Sequence, residues 1–236
     1  MENLKGFYEL LGQIEAIHFD LDGTLIKSEK AWLHSDIDLL REHGVEVPVS
    51  EIKNIREGKL IGRGQEFASK FFKEKFNLSA PVKRIKDRRI SLVKQYYKSV
   101  PLRNGAASFL QLVGRSRLKV TLVTSSPLVL AEIFLERRDF ANCFDQVLSD
   151  DHVSESKPDP EIFLKAGKAV EVEPQRSLVV EDSKNGVLAA KKAGTHCLWA
   201  PTNGFSGNWD KMAERADFIV EDFGSLNLKR VESLLD

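Results

Sequence analysis

The chain has 236 residues and a formal net charge of zero at pH 7; 42% of its residues are hydrophobic and 30% are charged. This is the composition of a globular protein, long enough for a full core and a smaller second unit. The balanced charge argues against a nucleic-acid partner, because nucleic-acid-binding proteins usually carry a clear basic excess.

The first predicted elements are an amphipathic helix within residues 1–15 and an apolar strand at residues 16–19. Asp20, Asp22 and Gly23 follow directly. Side chains two positions apart in a strand point the same way, and glycine permits a sharp turn, so both carboxylates can face one pocket. Such a pair can bind a hard cation and share nucleophilic and proton-transfer work.

Two simpler explanations apply to this Asp-x-Asp-Gly segment. A capped turn remains open. A calcium loop of the Asp-x-Asp-x-Asp-Gly kind is excluded, because its fifth, sixth and twelfth positions would fall on Thr24, Leu25 and Ala31. These residues supply neither the third acid, nor the glycine, nor the closing glutamate that such a loop requires.

Helical patterns then follow without an interrupting strand, near residues 29–43, 51–56, 65–76 and 82–99. From residue 101 onward helices alternate with strands, near residues 119–123, 146–148, 178–180, 197–199 and 218–220. Such alternation indicates parallel βαβ units. We therefore predict an α/β fold in which residues 1–26 and 101–236 form a Rossmann-like parallel sheet core and residues 27–100 form an all-helical insertion.

Two segments of the insertion carry basic residues that bear on its function. Segment 58–64 combines three glycines with Lys59 and Arg63, which can meet a polar or anionic group. A solvated turn between helices explains this segment equally well. Segment 83–98 carries seven Lys or Arg residues against one Asp, and its apolar residues roughly follow helical spacing, so we predict that its charges form a solvated helix face.

After the strand near residues 119–123, the chain reads Thr124, Ser125, Ser126, Pro127 before a helical pattern begins. Hydroxyl groups and free amides at a helix start suit the oxygens of a phosphoryl group. A simple N-cap by Thr124 or Ser125 remains open.

Two later segments also carry charge at defined places. Lys157 lies in the run Lys-Pro-Asp-Pro-Glu, where a loop lysine would ordinarily be solvated. Glu181 and Asp182 follow the apolar strand near residues 178–180. Helix capping by Asp182 or Ser183 does not explain an adjacent pair of acids. Acids and hydroxyls thus recur at the carboxyl ends of predicted strands, where an open parallel sheet places its ligand crevice.

In this order, the segments Asp-Leu-Asp-Gly-Thr, Thr-Ser-Ser-Pro, Lys-Pro-Asp-Pro and Glu-Asp-Ser resemble the four motifs of the haloacid dehalogenase superfamily. The resemblance spans most of the chain and is greatest to the helical-cap subclass, in particular its sugar-phosphate phosphatases and β-phosphoglucomutase. It implies that residues 27–100 are a mobile cap domain. It also implies a magnesium-dependent phosphatase that hydrolyses a small phosphate monoester, such as a sugar phosphate, through an aspartyl-phosphate.

The resemblance implies a role for each motif residue. Asp20 attacks phosphorus, and Asp22 protonates the leaving oxygen and then accepts a proton from the attacking water. Lys157 bridges the nucleophile and the phosphoryl group. The Thr124 hydroxyl and the Ser125 amide join it in stabilising the charge on the phosphoryl oxygens.

The implied cofactor is Mg²⁺, which takes oxygen ligands. The resemblance assigns it to the Asp20 carboxylate, the Asp22 backbone carbonyl and Asp182. Glu181 is then either a direct ligand or one water molecule removed from the metal.

The implied partner is a small phosphorylated metabolite. Ser125 and Ser126 are expected to bind its phosphate, and Lys59 and Arg63 are expected to select its leaving group from the cap. Cap closure over such a site expels water and strengthens electrostatic interactions.

Several alternatives remain open beside hydrolysis. A phosphomutase of the β-phosphoglucomutase kind has a lysine at the place of Pro127, so mutase activity would need Lys59 or Arg63 as a substitute. A phosphonatase would need a cap lysine such as Lys53 or Lys59. A non-catalytic binding protein is disfavoured by the intact motifs, and the dehalogenase reaction is disfavoured by Asp22.

No signal peptide, transmembrane run or lipidation motif is recognised in the sequence. We therefore expect no membrane partner and a cytoplasmic location. The oligomeric state is not readable from the sequence, and a monomer is the working expectation. Cys143 and Cys197 are isolated and lack metal-ligand spacing, so we expect them to pack as small hydrophobic residues rather than form a disulfide.

Overall fold

A computed structural model describes residues 2–137, 140–202 and 215–235. Its centre is a sheet of parallel strands in the order β3-β2-β1-β4-β5-β6, which confirms the predicted fold class. The strands are β1 Ala16–Phe19, β2 Lys119–Val123, β3 Gln146–Leu148, β4 Ser177–Glu181, β5 His196–Trp199 and β6 Phe218–Ile219.

Helices account for most of the remaining described chain. They are α1 Glu2–Leu11, α2 Glu29–Glu42, α3 Val49–Ile55, α4 Gln65–Lys75, α5 Val82–Tyr97, α6 Ala106–Val113, α7 Leu128–Leu135, α8 Glu161–Ala169, α9 Lys184–Ala193 and α10 Leu228–Leu235. A π-helical turn at Arg56–Leu60, which the sequence did not predict, continues α3. The predicted first helix extended to Met1, which lies outside the described residues. Among those that are described, no helix has the length and apolar character needed to cross a bilayer.

The central strand β1 positions the functional edge of the sheet. Its four residues are buried, as expected for a parallel strand covered on both faces. Its last residue, Phe19, is level with Leu122 of β2 and Val180 of β4. The three strands therefore end side by side. Because β2 and β3 lie on one side of β1 and β4 to β6 lie on the other, the strand order reverses at β1 and a crevice forms at this edge.

The helices α2 to α5 lie between β1 and β2 in the chain, and no strand interrupts residues 27–100. We call this segment the helical insertion. It has an apolar cluster of its own, which includes Leu39, Ile52, Phe72, Ile85 and Leu92.

The two chain segments that lead into and out of the insertion run antiparallel, and we call them the crossing ribbon. Ile26 is bridged to Leu102, the Lys27 amide donates to the Pro101 carbonyl (2.8 Å), and the Arg103 amide donates to the Leu25 carbonyl (2.9 Å). The Arg103 guanidinium also donates to backbone carbonyls of the core, those of Gly23, Ala200, Pro201 and Glu221. The ribbon is thus fixed to the sheet edge.

The two cysteines are free thiols, Cys197 buried and Cys143 half-buried. No disulfide joins them, as the sequence predicted.

Candidate active site

Three carboxylates meet where β1 and β4 end. Asp20, Glu181 and Asp182 are all buried, and each offers an oxygen within 4.8 Å of the others. The buried Lys157 ammonium lies against two of them and donates to Asp20 Oδ1 and Glu181 Oε1, each at 2.8 Å. One ammonium against three carboxylates leaves an excess of negative charge in a place shielded from water.

The electrostatics of this cluster favour a bound cation. Burial and the charge of Glu181 raise the pKa of Asp20, and burial with the charges of Glu181 and Asp20 raises the pKa of Asp182 well above its usual range. Burial alone would lower the pKa of Lys157, but Asp20 and Glu181 outweigh it and raise that pKa. The donors are all oxygens, the ligands that hard divalent cations prefer, so the residues present fit such an ion.

The local backbone allows these acids to approach one another. Gly23 has a φ of +87°, and a Cβ at this position would collide with the Asp182 carboxylate. Glu181 is fixed through its other oxygen, since Oε2 accepts from the Ser183 amide (2.9 Å) and the Ser183 hydroxyl (3.0 Å). Both carboxylate oxygens of Glu181 therefore have partners, whereas Asp20 Oδ2 accepts no hydrogen bond from the described residues.

Asp22 is held by three side-chain donors. Its Oδ1 accepts from the Trp32 indole (3.0 Å) and the Tyr97 hydroxyl (2.9 Å), and its Oδ2 accepts from the Ser126 hydroxyl (2.6 Å). Burial and the charge of Asp22 raise the pKa of Tyr97 well above its usual range, so its hydroxyl remains a donor. Trp32 and Tyr97 belong to the helical insertion, and the sequence did not predict their contact with Asp22.

The segment after β2 supplies further polar groups. Thr124 Oγ1 accepts from the Ser126 amide (3.0 Å), so its own proton is available to a ligand. The Ser125 hydroxyl contacts the Gly62 carbonyl (3.4 Å), and the Ser125 amide donates to none of the described residues. The contacts of Ser126 go to Asp22 and Thr124, so its role in phosphate binding stays a prediction.

A cavity of about 640 Å³, including its open mouth, joins these groups to the helical insertion. Asp20, Asp22, Thr124, Ser125, Ser126 and Asp182 contribute to its core side. Arg63 lines the opposite wall, with its guanidinium 4.2 Å from the centre of the Phe67 ring. Lys59 is exposed and is not among the lining residues. The structure thus brings Arg63, but not Lys59, to the cavity.

The insertion wall also contains a buried ionic cluster that the sequence did not predict. Asp36 accepts from Arg56 Nη1 (2.5 Å) and from Arg89 Nε (2.9 Å), and Arg89 Nη1 donates to Gln65 Oε1 (2.9 Å). Both guanidinium groups lie within 6 Å of the Trp32 ring centre. Two cations share one carboxylate, so this cluster carries a net positive charge.

The prediction that the charges of segment 83–98 form a solvated helix face is wrong for Arg89. Its side chain is only 1% exposed, because Asp36 and Gln65 satisfy its donors inside the insertion. A sequence signal existed: Arg89 lies four positions after Ile85, on the apolar side of α5.

Comparisons with known proteins identify relatives of the whole chain. A family model described as haloacid dehalogenase-like hydrolase matches residues 17–200. The chain is similar to a phosphorylated carbohydrates phosphatase of Thermotoga maritima, with 32% identity over 187 residues, 79% of this chain and 84% of the relative. It is 29% identical over 197 residues to hexitol phosphatase B of Escherichia coli K12, covering 80% of this chain and 84% of the relative.

Among solved structures, it is similar to CbbY from Rhodobacter sphaeroides in complex with phosphate. The TM-score is 0.80 at 26% identity, covering 93% of this chain and 99% of that one.

Proposed function

The chain belongs to the haloacid dehalogenase-like hydrolase family and is a phosphoric monoester hydrolase, and from this premise we propose that it hydrolyses a phosphorylated carbohydrate with Mg²⁺ through an aspartyl-phosphate. The observation that carries the proposal is the buried cluster of Asp20, Lys157, Glu181 and Asp182 at the ends of β1 and β4. A bound cation would balance this buried excess of negative charge and allow a phosphoryl group to occupy the same site.

Asp20 is the proposed nucleophile. Its Oδ1 is held by Lys157, which leaves Oδ2 without a partner among the described residues. In-line attack by this carboxylate on phosphorus forms the acyl-phosphate bond and releases the leaving oxygen.

Asp22 is the proposed acid and base. Its carboxylate is held by three hydrogen-bond donors. It therefore lies near the nucleophile without being the group that attacks phosphorus. From there it can protonate the leaving oxygen and later accept the proton of the water that hydrolyses the aspartyl-phosphate.

Mg²⁺ would be held by the carboxylates of Asp20 and Asp182 and by the backbone carbonyl of Asp22. When bound, it neutralises charge that develops on the phosphoryl oxygens. Because both oxygens of Glu181 have partners, we place Glu181 one water molecule away from the metal. Lys157, the Thr124 hydroxyl and the Ser125 amide then supply the remaining donors to the phosphoryl group.

The helical insertion, residues 27–100, is proposed to be the cap of a core formed by residues 1–26 and 101–236. Arg63 and the Arg56–Asp36–Arg89 cluster give the cap wall a positive charge that suits a polar or anionic leaving group. Two of the relatives described above are named for phosphatases of carbohydrates and hexitols. We therefore expect a sugar or polyol phosphate as substrate.

The test is phosphate release from a panel of sugar, polyol and nucleoside monophosphates, with Mg²⁺ or EDTA. The wild type is compared with Asp20→Asn and with Asp87→Asn, which removes an exposed carboxylate of the insertion. Asp20→Asn should lower turnover at least roughly 1,000-fold, as expected for loss of a nucleophile. Asp87→Asn should leave it unchanged.

If Asp20→Asn retains turnover, Asp20 is not the nucleophile. Release that does not depend on the metal would refute the cofactor assignment. If the wild type releases no phosphate from any compound of the panel, a phosphorylated carbohydrate is refuted as its substrate, and a phosphomutase assay becomes the next experiment.

A further inference from the structure

Helix α4 of the insertion is capped by a residue of the core. The helix begins at Gln65, and the preceding Gly64 has no side chain that could cap it. The Gln65 amide donates instead to Asp150 Oδ2 (3.1 Å), and the Ser156 hydroxyl donates to Asp150 Oδ1 (2.8 Å). Asp150 follows β3, so the cap crosses from the sheet to the insertion.

We propose that Asp150 is a positioning residue that holds loop 61–65, and with it Arg63, over the substrate cavity. This rests on the proposed function, in which that loop contacts the leaving group. A carboxylate at a helix start is favourable, because the first amides of a helix lack partners and the helix dipole is positive there.

Gly64 gives independent support. Its backbone is extended with a φ of −65°, a conformation open to any residue, so the turn itself does not require glycine. A Cβ here would collide with the Ser156 hydroxyl and both oxygens of Asp150. Glycine is therefore needed at position 64 because the core approaches the insertion closely there, and not because of the backbone conformation.

The contact fixes one end of a loop whose other end is also tied to the core. Asn185 Nδ2 donates to the Ile61 carbonyl at 2.8 Å. Between these two anchors lies Arg63, which lines the cavity. Gln65 extends the contact into the insertion, since its side chain accepts from Arg89. Asp150 therefore acts on the cavity wall through the loop, and not by touching the reacting atoms.

Asp151 offers a matched control. Its Oδ2 accepts from the Leu128 amide at the start of α7 (2.8 Å), which is the same kind of bond made entirely within the core. Asp151→Ala removes a helix cap of comparable geometry without touching loop 61–65.

The first measurement is hydrogen–deuterium exchange of the peptide that covers the start of α4. Loss of a helix cap should raise its exchange roughly 2- to 30-fold in Asp150→Ala. Gly64→Ala should have the same effect from the other side of the contact. Asp151→Ala should leave this peptide unchanged and raise exchange at the start of α7. Unchanged exchange in both Asp150→Ala and Gly64→Ala would overturn the proposal.

The second measurement compares a bulky and a small leaving group, glucose 6-phosphate and acetyl phosphate. In Asp150→Ala, kcat/KM for glucose 6-phosphate should fall by more than about 2-fold, mainly through KM, because the loop that contacts the leaving group is held less firmly. The value for acetyl phosphate should change less than 2-fold, because its leaving group is too short to need the loop. Asp150→Asn keeps an acceptor oxygen and should restore part of the loss.

Equal losses on both substrates would show a general structural role and overturn the positioning role. Failure of the wild type to hydrolyse either compound would count against the proposed function, and the exchange measurement would still decide whether Asp150 holds the loop.

Discussion

His18 should make the protein less stable as the pH falls from 7 to 5. It is fully buried in β1, with Nδ1 2.7 Å from Thr121 Oγ1, and its Nε2 has no partner among the described residues. Burial lowers its pKa from 6.5 to about 4, so the folded protein keeps it neutral while the unfolded chain protonates it. Between these values the unfolded state binds more protons, so stability is present above pH 6.5 and is lost toward pH 4. At 1.36 kcal/mol per pH unit, the free energy of unfolding falls by about 2 kcal/mol between pH 6.5 and pH 5.

Urea unfolding at pH 7 and pH 5 measures this loss. Other groups also titrate in this range, so the relevant quantity is the difference between the wild type and His18→Gln. His43→Gln, at an exposed position, is the control and should behave like the wild type. In the folded wild type, one histidine NMR resonance should not titrate between pH 5 and 8, and it should be missing from His18→Gln. An equal loss of stability in wild type and His18→Gln would refute the reasoning.

Tyr97→Phe should lower kcat about 10-fold on the preferred substrate, because Asp22 loses one of its three hydrogen-bond donors while the phenyl ring still fills the space of the tyrosine ring. An unchanged kcat would show that the Tyr97 hydroxyl is dispensable. Gly23→Ala should weaken Mg²⁺ binding by calorimetry roughly 10- to 100-fold, because its Cβ collides with the Asp182 carboxylate. Gly44→Ala, which has similar backbone strain (φ +72°) but nothing near its Cβ, should bind Mg²⁺ normally, and equal weakening in both would contradict the collision. Mg²⁺ at 100 times its Kd should stabilise the wild type by about 2.7 kcal/mol in urea unfolding, and no shift would argue against a metal in the acidic cluster.

The sheet and the convergence of the motifs could be predicted because the signals are local. Three of the four motifs follow an apolar run, and the observed bounds of β2 and β3 are those predicted from the sequence. Once the strands are known to be parallel, their carboxyl ends must share an edge. The contact of Lys157 with Asp20 could be expected only from the family resemblance, because Lys157 lies in a loop and not at a strand end. Its contact with Glu181 was not predicted.

The polar contacts of the insertion could not be predicted in the same way. Helical periodicity identifies a buried face but not which polar residue on it finds a partner. Asp36 and Arg89 are 53 positions apart, and Tyr97 reaches Asp22 across 75 positions. Burial of an arginine depends entirely on such a distant partner.

The cationic residues near segment 58–64 show a further limit. The π-helical turn at Arg56–Leu60 takes more residues per turn than an α-helix, and this shifts the direction in which later side chains point. Arg56 lines the cavity and Lys59 is exposed. No local pattern in the sequence indicates such a turn, so the role predicted for Lys59 in substrate selection stays a prediction.

The crossing ribbon gives the helical insertion a defined mechanical behaviour. Two antiparallel segments joined by the bonds of Lys27 to Pro101 and of Arg103 to Leu25 can bend together, but twisting or sliding would break those bonds. We therefore expect the proposed cap motion to follow a single arc about the ribbon. Such a motion would return Arg63 to the same position on each closure. The conformational entropy lost on closure would then be that of one rotation, and not that of a body held on a flexible tether.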